Sequence, residues 1–225
     1  MQHPKYRLTH LVSAVVAPLA FLVTGCAHSD VPKPLDRIES AAEDAYDEAL
    51  DAKNKDVEHE AEAIEQAWTA YRPSATRDGA PSDAVEGLDA AVRDFRAVVK
   101  KSSDPVARAR AANAVSRWVG ALYAVYHPAT PAILNELDYL GREVALDGKS
   151  GDLAHAETSI AKLEETWHAV RPRLAAAGAS FTAKKYEEAL AGIHDGIASR
   201  NAGAVVFHAK RGLDAVDVME TVLHD

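Results

Sequence analysis

The stretch "EQAWTAYRP", Glu65 to Pro73, returns downstream as "EETWHAVRP", Glu164 to Pro172, so that Trp-x-Ala-x-Arg-Pro occurs twice with a spacing of 99 residues. At 100° per residue, Glu65, Trp68 and Arg72 fall within about 60° of one another around a helix, and so do Glu164, Trp167 and Arg171. In that placement the Trp anchors in a core and the Arg lays its stem alongside, paired with the Glu one heptad earlier. An Arg in the last turn meets the negative end of the helix dipole, and the following Pro is expected to end the helix. An anchor and a stop repeated at long spacing mark an internal duplication.

The flanking sequence follows the same plan. Apolar residues recur at helical spacing downstream of Pro34: Ile38, Ala42, Ala45, Ala49 and Ala52, then Val57, Ala61, Ile64, Trp68 and Tyr71. "SATRDGAPSD" reads as a loop by composition, and Val85, Leu88, Val92, Phe95 and Val99 mark a third helix. Asp104 and Pro105 form a cap and first-turn pair opening a fourth, which carries Ala111, Val115, Trp118, Leu122 and Val125 and ends at "HPATP". In the second half Leu134, Leu137, Leu140 and Val144 are followed by the turn "GKSGD", in which Asp152 is placed as an N-cap. Ala156, Ile160, Leu163, Trp167 and Val170 come next, then "LAAAGASFTA" as a loop, then Tyr186, Leu190, Ile193 and Ile197. After "SRNAG", a last stripe of Phe207, Leu213, Val216 and Met219 completes four helices per half.

The expected fold is therefore all-α, with about eight helices in internally duplicated antiparallel hairpins. Hairpins start near Leu35, Ser82, Pro131 and Thr182, a spacing of about 48 residues that differs from the 34-residue tetratricopeptide period. Two packings satisfy the pattern: two four-helix-bundle-like halves, residues 35–128 and 129–225, or a continuous α-hairpin array. About 95 residues per half suits a four-helix domain, which favours the bundles.

The N-terminus is of another kind. Lys5 and Arg7 precede an apolar run from Leu11 to Val23, too short for a membrane span, which needs roughly 20 apolar residues. The run ends in Val23-Thr24-Gly25-Cys26, which resembles the lipobox of bacterial lipoproteins. That resemblance implies a signal peptide over residues 1–25, and acylation of Cys26, the single Cys of the chain, with palmitate-type chains. Residues 26–34 then form a tether, broken by Pro32 and Pro34, that keeps the folded part close to the bilayer. The residue after the Cys is Ala27 rather than Asp, which in a Gram-negative lipoprotein points to the outer membrane, facing the periplasm.

Removing residues 1–25 takes away two basic residues and no acid, leaving 23 Lys and Arg against 34 Asp and Glu, a net charge of −11. No basic face is present, which argues against nucleic acid and anionic lipid as partners. Neither a Gly-x-Ser-x-Gly elbow, a phosphate-cradling Gly loop, a His-Glu-x-x-His pair nor a dinucleotide fingerprint occurs. The single Cys excludes a thiolate metal site, and no cofactor is called for.

Three sets of residues are candidates for chemistry. Arg72 and Arg171, if brought together about a pseudo-two-fold axis, could grip a carboxylate or phosphate between two guanidinium forks. His59 and Glu62, an i, i+3 pair, are similar to the His-x-x-Glu motif of imelysin-like envelope proteins. Glu165 and His168 have the Glu-x-x-His spacing of di-iron carboxylate bundles. Against a metal site, His59 aligns with Thr158 across the repeat, Glu165 with Gln66, and His168 with Thr69, so duplication does not repeat the ligands. "NELDYLGREVAL", Asn135 to Leu146, departs most from its first-half partner. Asp138 and Arg142 form an i, i+4 pair there, and Gly141 permits close approach of another helix.

Together these features lead to the expectation of a membrane-anchored envelope lipoprotein, non-enzymatic, whose helical module binds a protein partner or serves as a scaffold. The alternative is a periplasmic protein that binds a ligand or metal in the groove between the halves.

Overall fold

The computed structural model describes residues 30–128 and 131–224, so the signal and lipobox of the sequence reading lie outside the described residues. The described chain forms eight α-helices. They are α1 (Lys33–Leu50), α2 (Asn54–Arg77), α3 (Ser82–Lys101), α4 (Pro105–Tyr123), α5 (Ile133–Ser150), α6 (Leu153–Ala176), α7 (Ser180–Ala198) and α8 (Ala202–Val222), with a 3₁₀ turn over Ala124–Tyr126. No strand occurs among the described residues, and none of these helices is long and apolar enough to cross a membrane.

Each helix of the first half packs on its neighbours in sequence, and α4 returns to α1, closing a ring of four; α8 returns to α5 in the second half. A continuous array would not bring a fourth helix back onto the first, so the halves are two four-helix bundles. Each has its own core, one built on Leu35, Ile38, Ile64, Tyr71, Leu88, Phe95 and Leu122, the other on Leu137, Ile160, Trp167, Leu174, Tyr186 and Met219. Leu146 of α5 belongs to the first core although its helix is built into the second.

Helix boundaries correct the sequence reading at both copies of the opening phrase. Pro73 and Pro172 do not end their helices but sit inside them, and α2 and α6 run on to Arg77 and Ala176. The extra turn carries Ala75 and Leu174, both fully buried, and core packing there outweighs the hydrogen bond each proline omits. The loops are correspondingly shorter than expected. The actual stops are Gly79 and Gly178, with φ +94° and +72°, followed by Ala80 N–H donating to Ala75 O and Ala179 N–H to Leu174 O, both at 2.9 Å. The Arg–Glu pairs one heptad apart are not formed either, because two helical turns are a rise of about 10.5 Å and an adjacent helix offers a closer carboxylate. Phe207, assigned to the last core stripe, is instead 58 % exposed; Val205, Ala209, Val216 and Met219 fill that core.

Other joints follow expectation. Asp104 accepts from the backbone of Val106 and Ala107, and Asp152 from His155 N–H at 3.0 Å. At the first turn of each half the chain passes through the left-handed region, at Ala52 (φ 60°) and at its repeat partner Gly151 (φ 74°). Lys53 N–H donates to Glu48 O and Asp152 N–H to Asp147 O, each at 2.9 Å, so one turn geometry is built twice, once without its glycine. A left-handed residue with a Cβ costs about 1–2 kcal/mol, and glycine returns about half of that in unfolded-chain entropy. Ala52→Gly is therefore expected to raise the unfolding free energy by about 0.5–1 kcal/mol and Gly151→Ala to lower it by a similar amount. Urea midpoints of both variants check this, and a loss on Ala52→Gly would contradict the geometry.

Candidate functional site between the bundles

Most of helix α5 between Leu134 and Gly148 is buried, and along its length Asp138, Glu143 and Asp147 are buried beside Leu137, Leu140, Val144 and Leu146. Carboxylates in such a place need cations or donors, because desolvation otherwise outweighs any gain. Two of the three have them. Arg110 of α4 reaches Glu143 with Nη1 at 2.7 Å and Asp147 with Nη2 at 2.9 Å, a fork that clasps the two bundles. Asn113 adds a 2.7 Å donation to Glu143, and Asp147 also meets Ser159 Oγ at 2.9 Å and His155 Nδ1 at 2.8 Å. On the opposite flank Asn135 donates to Glu39, and Arg142 lies 2.6 Å from Glu43 with its guanidinium over the Tyr46 ring. Gly141 accommodates Leu213 of α8, since an added Cβ would come within 2.8 Å of it.

Beside this clasp α1, α5 and α8 enclose a cleft of about 690 Å³. Its walls carry Glu43, Asp47, Asp51, Asp138, Asp214 and Asp217 against Arg142, Lys149 and Lys210, with Tyr46, Leu50, Ala145, Val206 and Leu213 between them. Asp138 is 6 % exposed, and its carboxylate has no hydrogen-bond or ion-pair partner among the described residues. The expected Asp138–Arg142 pair is thus not closed as a contact, because the guanidinium turns to Glu43. Burial drives the Asp138 carboxyl well above the usual carboxylate range, with Glu43, Glu220 and Asp217 adding to the rise and Arg142 opposing it. Burial, with Glu43 adding to it, also raises Glu39, Asp47 and Asp217, and Glu220 is pushed up to about 7 by burial and by Glu39, Glu43 and Asp217.

The sequence candidates lie elsewhere. Arg72 pairs with Asp89 at 3.4 Å and Arg171 with Glu187 at 2.8 Å, each on the next helix of its own bundle. Asp89 also accepts from the Trp68 indole at 3.0 Å. The two arginines line separate surface notches of about 490 and 300 Å³ that share no residue, so the structure does not bring them together. His59 and Glu62 are exposed on α2, Glu165 and His168 on α6. Glu62 lies 3.8 Å from Arg96, and no group of three or more His, Cys, Asp or Glu able to hold a metal ion occurs among the described residues.

What sequence reasoning missed is the clasp and the acidic wall. One signal was present: Glu143 and Asp147 fall three and seven residues after Leu140, on the apolar stripe itself, where a carboxylate must find a partner. No family model matches the chain, and no curated protein or solved structure matches it either.

Two outcomes follow from these charges. Arg110→Ala leaves two buried carboxylates short of a cation and is expected to cost about 3 kcal/mol, whereas Arg171→Ala, which breaks an exposed pair, costs under about 1 kcal/mol. Equal losses in urea unfolding would contradict the clasp. For the raised acids the folded carboxyl holds its proton more tightly than the unfolded one, so their ionisation destabilises the fold. That penalty is complete above about pH 7 for Glu220 and is relieved as pH falls towards the unfolded value. The melting temperature is thus expected to rise between pH 8 and pH 5.5 at constant ionic strength, and to rise less in Glu220→Gln; a fall over that interval would be inconsistent with a strained cluster.

Proposed function

We propose that this chain is a lipid-anchored lipoprotein of the cell envelope, tethered through Cys26, and that its double bundle is a non-enzymatic binding module. The cleft between the bundles is its working surface. One observation carries this reading: Asp138, buried and without a hydrogen-bond partner, lines a cleft beside the Arg110 clasp. A buried carboxylate that accepts no hydrogen bond weakens the fold, which is the expected sign of a group kept for a ligand. Of the two functional expectations, ligand binding in the groove between the halves is favoured, with contacts on α1, α5 and α8 in place of the arginines and histidines first considered. The protein-interaction or scaffold reading draws on Phe181 and Phe207, 71 % and 58 % exposed on α7 and α8.

Both parts of the proposal are open to test. Full-length protein expressed in a bacterial host should enter the detergent phase on Triton phase separation, and Cys26→Ser should remain in the aqueous phase. A Cys26→Ser protein that still enters detergent would refute the anchor. In a thermal-shift panel of small charged organic molecules, stabilising compounds should lose their effect in Lys210→Trp, which places a ring at the mouth of the cleft. Stabilisation that survives this change in every case would place binding elsewhere.

A further inference from the structure

The cleft presents six carboxylates against three cations, and its most buried carboxylate, on Asp138, accepts no hydrogen bond. We infer that it takes an aliphatic polyamine, with one ammonium group on Asp138 and the others on carboxylates nearer the mouth, such as Asp47 and Asp217. This rests on the reading of the cleft as the working surface and adds to it the chemical class of the ligand.

Three features select that class. The first is charge: Arg142, in contact with Glu43 and the Tyr46 ring, and the exposed Lys149 and Lys210 face six carboxylates, so the excess is negative and lies along the walls. The second is spacing. Among the described residues no three carboxylates or histidines are gathered closely enough for a metal ion, so one compact cation cannot answer them all. A chain with ammonium groups separated by several methylenes can. The third is the surface between the acids, where Leu50, Ala145, Val206 and Leu213 offer apolar contact to those methylenes. The volume, about 690 Å³, lies within the range of small-molecule sites, roughly 300–1,000 Å³. An ammonium group carries three donors and a full charge, so a single contact supplies what Asp138 lacks.

The test is calorimetric titration of spermidine into the full chain in detergent, at ionic strength fixed with sodium chloride. One equivalent is expected to bind; Asp138→Asn, which keeps the side-chain shape, should weaken binding about tenfold or more, and the exposed Asp217→Asn about threefold. Magnesium chloride at matched charge and 1,6-hexanediol should not compete. Equal affinity in the wild type and Asp138→Asn would overturn the assignment, as would full displacement by magnesium, which would reduce the effect to a counterion atmosphere. A lysine-rich peptide that binds through Asp138 while spermidine does not would also overturn it, in favour of a protein partner. Failure with spermidine, alongside a different small molecule whose stabilisation Lys210→Trp abolishes, would remove the polyamine and leave the cleft as the binding surface.

Discussion

The junction of the two bundles depends on compensating the charges of α5. That helix is buried without a break from Glu143 to Gly148, yet it carries Glu143 and Asp147 there, four residues apart and pointing to the same side. A single guanidinium from α4 spans both at 2.7 and 2.9 Å. Arginine suits this where lysine would not, because its planar fork can serve two carboxylates at once. Removal of the cation leaves two buried anions side by side, so the clasp cannot loosen by degrees. The placement of α5 against α4, and so of one bundle against the other at this seam, follows from that constraint.

The duplication supplied the frame but not the junction. Features that recur between the halves are punctuation: the left-handed residue at 52 and 151, the glycine stops at 79 and 178, and the Trp-x-Ala-x-Arg-Pro phrase with its cross-helix carboxylate. These depend on contacts inside one bundle, and each bundle needs them equally. At position 48, the repeat partner of Asp147, stands Glu48, and Glu43 on α1 answers Arg142 of α5 rather than repeating its role. One copy of a helix has become a member of both cores, as Leu146 shows, and its polar residues serve a surface that a lone bundle would not have.

This difference explains what could be read from the sequence. Helix number, pairing and the Asp104 and Asp152 caps are local or periodic properties, and they were legible. Helix ends at the prolines were misjudged because the decision lies in burial of Ala75 and Leu174, which a local stop signal does not report. Arg72 and Arg171 drew attention by repetition, but repetition selects what the fold needs. The cleft arose where the halves differ, in "NELDYLGREVAL", and its acids come from three helices more than 150 residues apart in the chain at their extremes, from Glu43 to Asp217. No periodicity joins such positions.

Asp138 and Asp147 make the functional argument within one helix. Both are buried carboxylates of α5, 6 % and 1 % exposed, yet Asp147 has three hydrogen-bond partners and Asp138 has none, Arg142 acting on it only through its charge. Were the sequence serving stability alone, position 138 would hold leucine or asparagine, since it faces Tyr186 and the apolar core of the second bundle on one side. Arg142, four residues on, could have closed the pair and instead lies against Glu43 and Tyr46. The result is a carboxylate on the cleft wall whose ionisation the fold resists. An ammonium group that enters there supplies the missing hydrogen-bond donor and relieves the mutual repulsion of Glu43, Asp217 and Glu220, so binding and stability are coupled through the same few charges.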